Sequence, residues 1–224
     1  MKQKTRNTSF ITAILLSLTL LLAACGGSTS SSAPTTTPTT RSDVKGDFAG
    51  VTNSVDFISL STEGPVLIAY ACDGTPTHRI MVAQWFKGEV TNNVVNLTAK
   101  GGAHLVASLS AQSASGTVTL ANGKSFSFTT HTLASQKDTG LFRSEQTVRG
   151  VRFLAGWILP PGAPAPPTNL VGKAAITQGG GIINEQTGAL LPAPVLTSQD
   201  IAAGQVMVPG LGMFPLTRCK LGTC

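Results

Sequence analysis

Three histidines and ten carboxylates are the whole acid–base complement of this 224-residue chain. Their spacing scatters it. His78 falls in a turn region, 74–78. His104 opens one candidate strand, and His131 closes another that runs the same way two strands on. At about 3.3 Å per residue those strand ends stand ~20 Å apart, too far for a shared metal or a proton relay. His104 also alternates away from Leu105 and Leu109, which turns it to solvent. The acids Asp43, Asp47, Asp56, Glu63, Asp73, Glu89, Asp138, Glu145, Glu185 and Asp200 form no pair spaced like the acid and base of a glycosidase. Asp73 opens an Asp-Gly turn. There is no Gly-x-Ser-x-Gly elbow. Gly179-Gly180-Gly181 lacks the Lys-Ser/Thr and the strand–helix frame of a phosphate loop, and reads as a plain bend. The expectation is a non-catalytic protein with no metal and no cofactor.

Two clusters remain. Arg143, Arg149 and Arg152, with Lys137 nearby, gather around a turn at Arg149-Gly150. They form a solvated outer face or, alternatively, a binding patch for anionic headgroups or wall polymer. Tyr70, Trp85, Phe142 and Trp157 fill a core or line a cavity.

The N-terminus carries a different chemistry. Lys2, Lys4 and Arg6 form a basic segment without acids, residues 10–22 (FITAILLSLTLLL) are continuously apolar, and Ala23-Ala24-Cys25 follows. This is the pattern of a secretory signal. The apolar run of about 13 residues falls short of the roughly 20 that span a bilayer. Leu22-Ala23-Ala24-Cys25 resembles the lipobox of bacterial lipoproteins, a resemblance confined to residues 1–26. It implies cleavage before Cys25, thioether diacylglycerol on that cysteine, usually a third amide-linked chain, and a membrane as partner. The protein is then expected in the bacterial cell envelope, facing outward. The leader would also carry charge away. Without Lys2, Lys4 and Arg6 the 16 Lys and Arg become 13 against 10 Asp and Glu, a mild net of +3 that gives no reason to expect nucleic acid.

Residues 26–42 (GGSTSSSAPTTTPTTRS) hold no large apolar side chain and cannot build a core. As a flexible coil they span roughly 20–25 Å. The expected organisation is a signal peptide at 1–24, lipidated cysteine and linker at 25–43, a β domain at 44–160, and an extension at 161–224 packed on it.

The body shows almost no helical period. Short runs rich in Val, Ile, Leu, Phe and Thr occupy 48–60 (interrupted at Asn53), 65–72, 79–90, 94–99, 104–110, 117–120, 125–130, 140–148 and 151–159. Turn residues separate them at 8–12-residue spacing, which predicts an all-β antiparallel meander. Such a meander closes most simply into an up-and-down barrel, with a sandwich as the alternative. Gly88 suggests a bend in its strand. Asn122-Gly123 predicts a type I′ hairpin. Val151, Phe153, Ala155, Trp157 and Leu159 share one face, expected inside the barrel with Val118, Leu120, Phe126 and Phe128. Beyond the Pro-rich stretch 160–167 come shorter runs, 170–177, 205–208 and 212–217, and one helix start at Ser198-Gln199-Asp200-Ile201. Tyr70-Ala71-Cys72-Asp73-Gly74, Trp85 with Gly88, Gly140-Leu141-Phe142-Arg143 and Gly156-Trp157-Ile158 also resemble pieces of a β domain that recurs in uncharacterised bacterial exported proteins. That likeness spans about 65–160 and implies no activity.

With Cys25 lipidated, Cys72, Cys219 and Cys224 remain in an oxidising setting. They allow one disulfide. Cys219–Cys224 closes a small terminal loop, whereas Cys72–Cys219 pins the tail to the body. Two functional readings stand. One is a surface module that binds an envelope protein or polymer. The alternative is a carrier that holds a small apolar ligand inside the barrel.

Overall fold

The computed structural model describes residues 42–52, 57–73, 80–133, 138–161 and 178–224. Eight strands, β1 (Lys45–Val51), β2 (Phe57–Glu63), β3 (Val66–Cys72), β4 (Ala83–Thr91), β5 (Val94–Thr98), β6 (His104–Leu109), β7 (Ser113–Thr119) and β8 (Ser125–Thr132), form a closed antiparallel up-and-down barrel in sequence order. The single candidate run 48–60 is thus two strands. Phe48 opposite Thr132 and Ala49 opposite His131 close the seam between β1 and β8. Period-2 alternation is the cause. Along β6, Leu105, Ala107 and Leu109 are buried while His104, Val106 and Ser108 are exposed.

Inside, large side chains face small ones. Phe48, Leu60, Ala69 and Phe86 follow one another across β1 to β4, and Ala107, Gly116 and Phe128 do so across β6 to β8. Phe48, Leu60, Leu67, Val95, Leu105 and Val118 are each 0 % exposed. The barrel interior is therefore filled by its own side chains at these levels, each contributing about 1.5–3 kcal/mol on burial.

The turns differ from expectation in an instructive way. Asn122-Gly123 is not type I′, because only Gly123 has positive φ, 83°. Its loop is closed by Leu120 N–H donating to Lys124 O at 2.8 Å and Gly123 N–H to Leu120 O at 2.9 Å. This is a three-residue loop that ends on a left-handed glycine. Two positive φ values in succession occur instead at Asn92 (51°) and Asn93 (60°), between β4 and β5, and at Arg149 (51°) and Gly150 (80°). Gly88 marks a parting of strands. β4 pairs with β5 only at Val90 and Thr91, and the Leu97 side chain occupies the space a Cβ on Gly88 would need.

The chain then leaves the barrel. The remaining elements are β9 (Gly140–Val148), β10 (Val151–Leu159), β11 (Gly179–Asn184), β12 (Leu190–Pro192), α1 (Ser198–Ala203), β13 (Gln205–Val208), β14 (Gly212–Pro215) and β15 (Thr217–Arg218). A second sheet has the order β12-β11-β10-β9-β15, and β13 and β14 form a hairpin. The sheet boundary thus lies between β8 and β9, and the runs 140–148 and 151–159 belong with the C-terminal strands. The reason shows in β10, where seven consecutive residues, Phe153 to Leu159, are buried. Both of its faces are covered, as in a middle layer. Phe153, Ala155, Trp157 and Leu159 do not enter the barrel; they pack with Val206, Val208 and Phe214 of the hairpin. The opposite face rests on the outside of the barrel, where Ile158 meets Phe57, Ile68 and Tyr70.

Glycines make that contact close. A Cβ on Gly156 would lie 2.7 Å from the Tyr70 ring, one on Gly179 2.8 Å from Cys72 Sγ, and one on Gly181 3.0 Å from Tyr70 Oη. Gly179-Gly180-Gly181 is therefore no bend. It is strand β11, stripped of side chains so that Phe57, Tyr70 and Cys72 of the barrel can seat against it. The expected helix is present but short. Thr197 caps α1, its Oγ1 accepting from Asp200 N–H at 3.1 Å while Asp200 Oδ2 accepts from Thr197 N–H at 2.9 Å.

Candidate functional site

The structure separates most of the residues that the sequence singles out. His104 is exposed on β6, its Nδ1 3.1 Å from Thr98 Oγ1. His131 lies toward the other end of the barrel on β8, opposite Ser113. His78, Lys137 and Cys25 lie outside the described residues. Among the described residues no three of His, Cys, Asp and Glu gather as metal ligands would. The aromatic group divides. Tyr70 and Trp85 stack at the barrel–sheet contact with ring centroids 4.5 Å apart, whereas Phe142 and Trp157 belong to the core under the hairpin.

The cysteines settle at the C-terminus. Cys219 and Cys224 are joined in a disulfide with Cα atoms 4.4 Å apart, and Cys72 is a buried thiol. The tail is nonetheless pinned to the barrel, by hydrogen bonds. Asp47 Oδ1 accepts from Leu221 N–H at 3.1 Å and from Ser61 Oγ at 2.6 Å, and Ser61 Oγ accepts from Gly222 N–H at 2.9 Å.

The arginines do not stand free. Arg143 pairs with Glu145, and Arg152 reaches both Glu145 Oε2 at 2.8 Å and Glu185 Oε2 at 2.9 Å. Arg143 also lies over the Trp85 ring, 5.6 Å from its centroid. Burial first, then the neighbouring Arg152 charge, lower the Arg143 pKa from its ordinary value. Arg149 takes no part in these pairs and sits at the tip of the β9–β10 turn. The cluster is a mixed-charge network whose acids occupy two of its three arginines.

Of that network, Glu185 lines a groove of about 530 Å³, which lies at one mouth of the barrel. Three connections shape the barrel side: β3–β4 with Met81 and Val82, β5–β6 with Lys100 and Gly101, and β7–β8 with Leu120 and Ala121. The second sheet supplies the facing wall with Leu154, Ile183 and Leu190. The groove follows from the fold. β4 parts from β5 toward this end, and the second sheet, laid against β2 to β4, overhangs the opening. Asp73 fixes the lip. Its carboxylate accepts from Met81 N–H at 3.0 Å and Val82 N–H at 2.8 Å, so it clamps the return of the β3–β4 connection. On the floor Gln84 Nε2 donates to Trp85 O at 3.2 Å, while the buried Trp85 Nε1 has no hydrogen-bond partner.

No family model, curated protein or solved structure matches this chain.

The local sequence carries no signal for this groove. Its walls come from six segments that are dispersed along the chain and individually ordinary. The sequence shows only the turns at Asp73-Gly74, Gly101-Gly102 and Asn122-Gly123 and the apolar run of β10.

Proposed function

We propose that this is a non-catalytic small-molecule-binding protein of the bacterial cell envelope, anchored through lipid on Cys25, with its ligand seat in the groove at the barrel mouth. The groove carries the reading. Its volume of about 530 Å³ falls within the roughly 300–1,000 Å³ of small-molecule sites, and apolar walls with a few polar groups are their usual make-up. A closed barrel gives such a seat a rigid frame. Of the two readings drawn from the sequence, the carrier gains from the closed barrel and the groove, with the seat moved from the interior to the mouth. The surface module loses ground, because Glu145 and Glu185 already engage Arg143 and Arg152.

Ala121 is exposed in the β7–β8 loop at the edge of the groove, so Ala121→Trp fills the seat from outside the core. Native mass spectrometry of protein purified from its own host is expected to show a retained small molecule on the parent chain and none on Ala121→Trp, with thermal stability unchanged. A ligand-free parent, or equal retention on the variant, would overturn the reading.

A further inference from the structure

We infer, resting on the groove reading above, that the ligand is a short apolar peptide, bound extended as an added strand on the open edge of β4. β4 pairs with β3 from Ala83 opposite Cys72 to Glu89 opposite Val66. Its other side meets β5 only at Val90 and Thr91, while β5 goes on with β6 to Thr98. Among the described residues, Ala83 to Glu89 therefore have a strand partner on one side only. Alternate residues of an antiparallel strand send their N–H and C=O groups to opposite sides. Val90 N–H donates to Pro65 O at 2.7 Å, and Val82 O accepts from Asp73 N–H at 3.3 Å, both toward β3. The even-numbered residues of β4 thus complete the ladder to β3, and Ala83, Trp85 and Lys87 turn their groups to the open side. Toward the barrel mouth the parted strands bound the groove, with Ala83, Gln84 and Trp85 on one side and Lys100, Gly101 and Ala103 on the other. An unpaired edge of this kind is a template for an extended chain.

An amide already stands on that edge. Trp85 O, one of the groups on the open side, accepts from Gln84 Nε2 at 3.2 Å. A Cβ on Gly101 would lie 3.5 Å from Gln84 Oε1. The Gln84 carboxamide therefore sits between β4 and the β5–β6 connection, where a neighbouring strand would place its peptide group. It carries the donor and the acceptor of one, and a peptide that brings its own N–H replaces it. The slot is finite. Leu97 packs against Gly88, so the open run is Ala83 to Lys87. Side chains of a strand alternate between its faces, and both faces here are apolar. One set would meet Ala103, Leu120 and Ala121 at the barrel mouth, the other Leu154, Ile183 and Leu190 of the second sheet. These walls make the ligand apolar, and the edge makes it a peptide. A hydrocarbon chain would leave the backbone groups of Ala83, Trp85 and Lys87 unmatched.

The probe is acetyl-Leu-Ala-Leu-Ala-Leu-amide, titrated into the ligand-free protein. Tryptophan fluorescence reports binding, because Trp85 lines the groove while Trp157 is buried in the other core. Backbone amide exchange reports the edge. Without peptide, the Trp85 and Lys87 amides are expected to exchange faster than those of Phe86 and Gly88, which the β3 ladder holds. With peptide, the first pair is expected to slow by about tenfold or more. Two analogues locate the bonds, one N-methylated at the alanines and the other at the leucines. One is expected to lose about tenfold in affinity, since its missing N–H groups faced β4, and the other to bind within about threefold of the parent peptide. The parent peptide is expected not to bind Ala121→Trp. Peptide binding without slowed exchange at Trp85 and Lys87, equal protection of all four amides in the ligand-free protein, or equal binding of the two analogues overturns strand addition and leaves the groove standing. Failure of the peptide to bind overturns the inference, and the groove reading fails separately only if the host-purified parent also carries no ligand.

Discussion

Arg149 holds a backbone conformation that suits it poorly. With φ 51° it is the first of two left-handed residues in the β9–β10 turn, where the β4–β5 turn uses Asn92 and Asn93. A left-handed residue that is neither Gly nor Asn or Asp costs roughly 1–2 kcal/mol, and Asn tolerates the position through its short polar side chain. Arg149 is in none of the ion pairs among the described residues, so its removal forfeits no such contact. Arg149→Asn is therefore expected to stabilise the fold by about 0.5–1 kcal/mol, a rise in Tm of roughly 1–4 °C, measured by thermal denaturation. A fall in Tm would show that Arg149 is held there by a contact worth more than the strain. The same pair of turns shows where reading residues fails. Asn-Gly at 122–123 is the strongest type I′ signal in the chain, yet the register places Thr119 opposite Ser125, which leaves too many residues for a two-residue loop. Turn type follows from strand register, and no dipeptide states that.

At the scale of elements the seam between barrel and second sheet depends on large side chains from β2 to β4 seated against glycines of β10 and β11. Tyr70 is its centre. The ring is fully buried, and Oη donates to Gly181 O at 3.3 Å. Burial first, then the neighbouring Cys72 and Asp73, push the phenol well above its ordinary value of 10.0. The unfolded chain ionises near that ordinary value and the folded chain only at higher pH. The contribution to stability is thus intact below pH 10.0 and is lost as pH rises from there through the folded-state pKa. Tyr70 is the single tyrosine of the chain, so phenolate absorbance reads the seam directly. It is expected to stay flat in the folded protein past the ordinary value and to rise together with unfolding. An ordinary titration near 10.0 with the fold intact would mean that the seam is open to water. The barrel strands were legible because each has one buried and one wet face, and period 2 states that plainly. The second sheet was not. Strands covered on both faces lose the alternation, and a Gly-Gly-Gly strand has no side chains to show it. Its identity lies in the partner, since Gly156, Gly179 and Gly181 make sense only beside Tyr70, Phe57 and Cys72.

For the whole molecule, the first described residues and the groove fall at opposite ends of the barrel. Ser42 Oγ donates to Asn93 Oδ1 at 2.9 Å, and Gly64 N–H donates to Val44 O at 3.1 Å. The chain therefore enters the barrel at the end that carries the β2–β3 and β4–β5 turns. The groove lies at the other end, among the β3–β4, β5–β6 and β7–β8 connections. Seven-residue strands such as β2 and β3 rise about 3.3 Å per residue, roughly 23 Å in all. The proposed anchor turns on Cys25, because two or three acyl chains hold a protein stably at a bilayer and one does so only marginally. Cys25→Ser is expected to abolish incorporation of a fatty-acid probe in the producing host and to leave the chain uncut before residue 25, while the barrel and its groove, built from residue 45 onward, fold and bind as before. Equal labelling of the variant would remove the anchor from the proposal. Loss of labelling together with loss of ligand would instead mean that the groove is filled only at a membrane, and that the seat and the lipid act as one device.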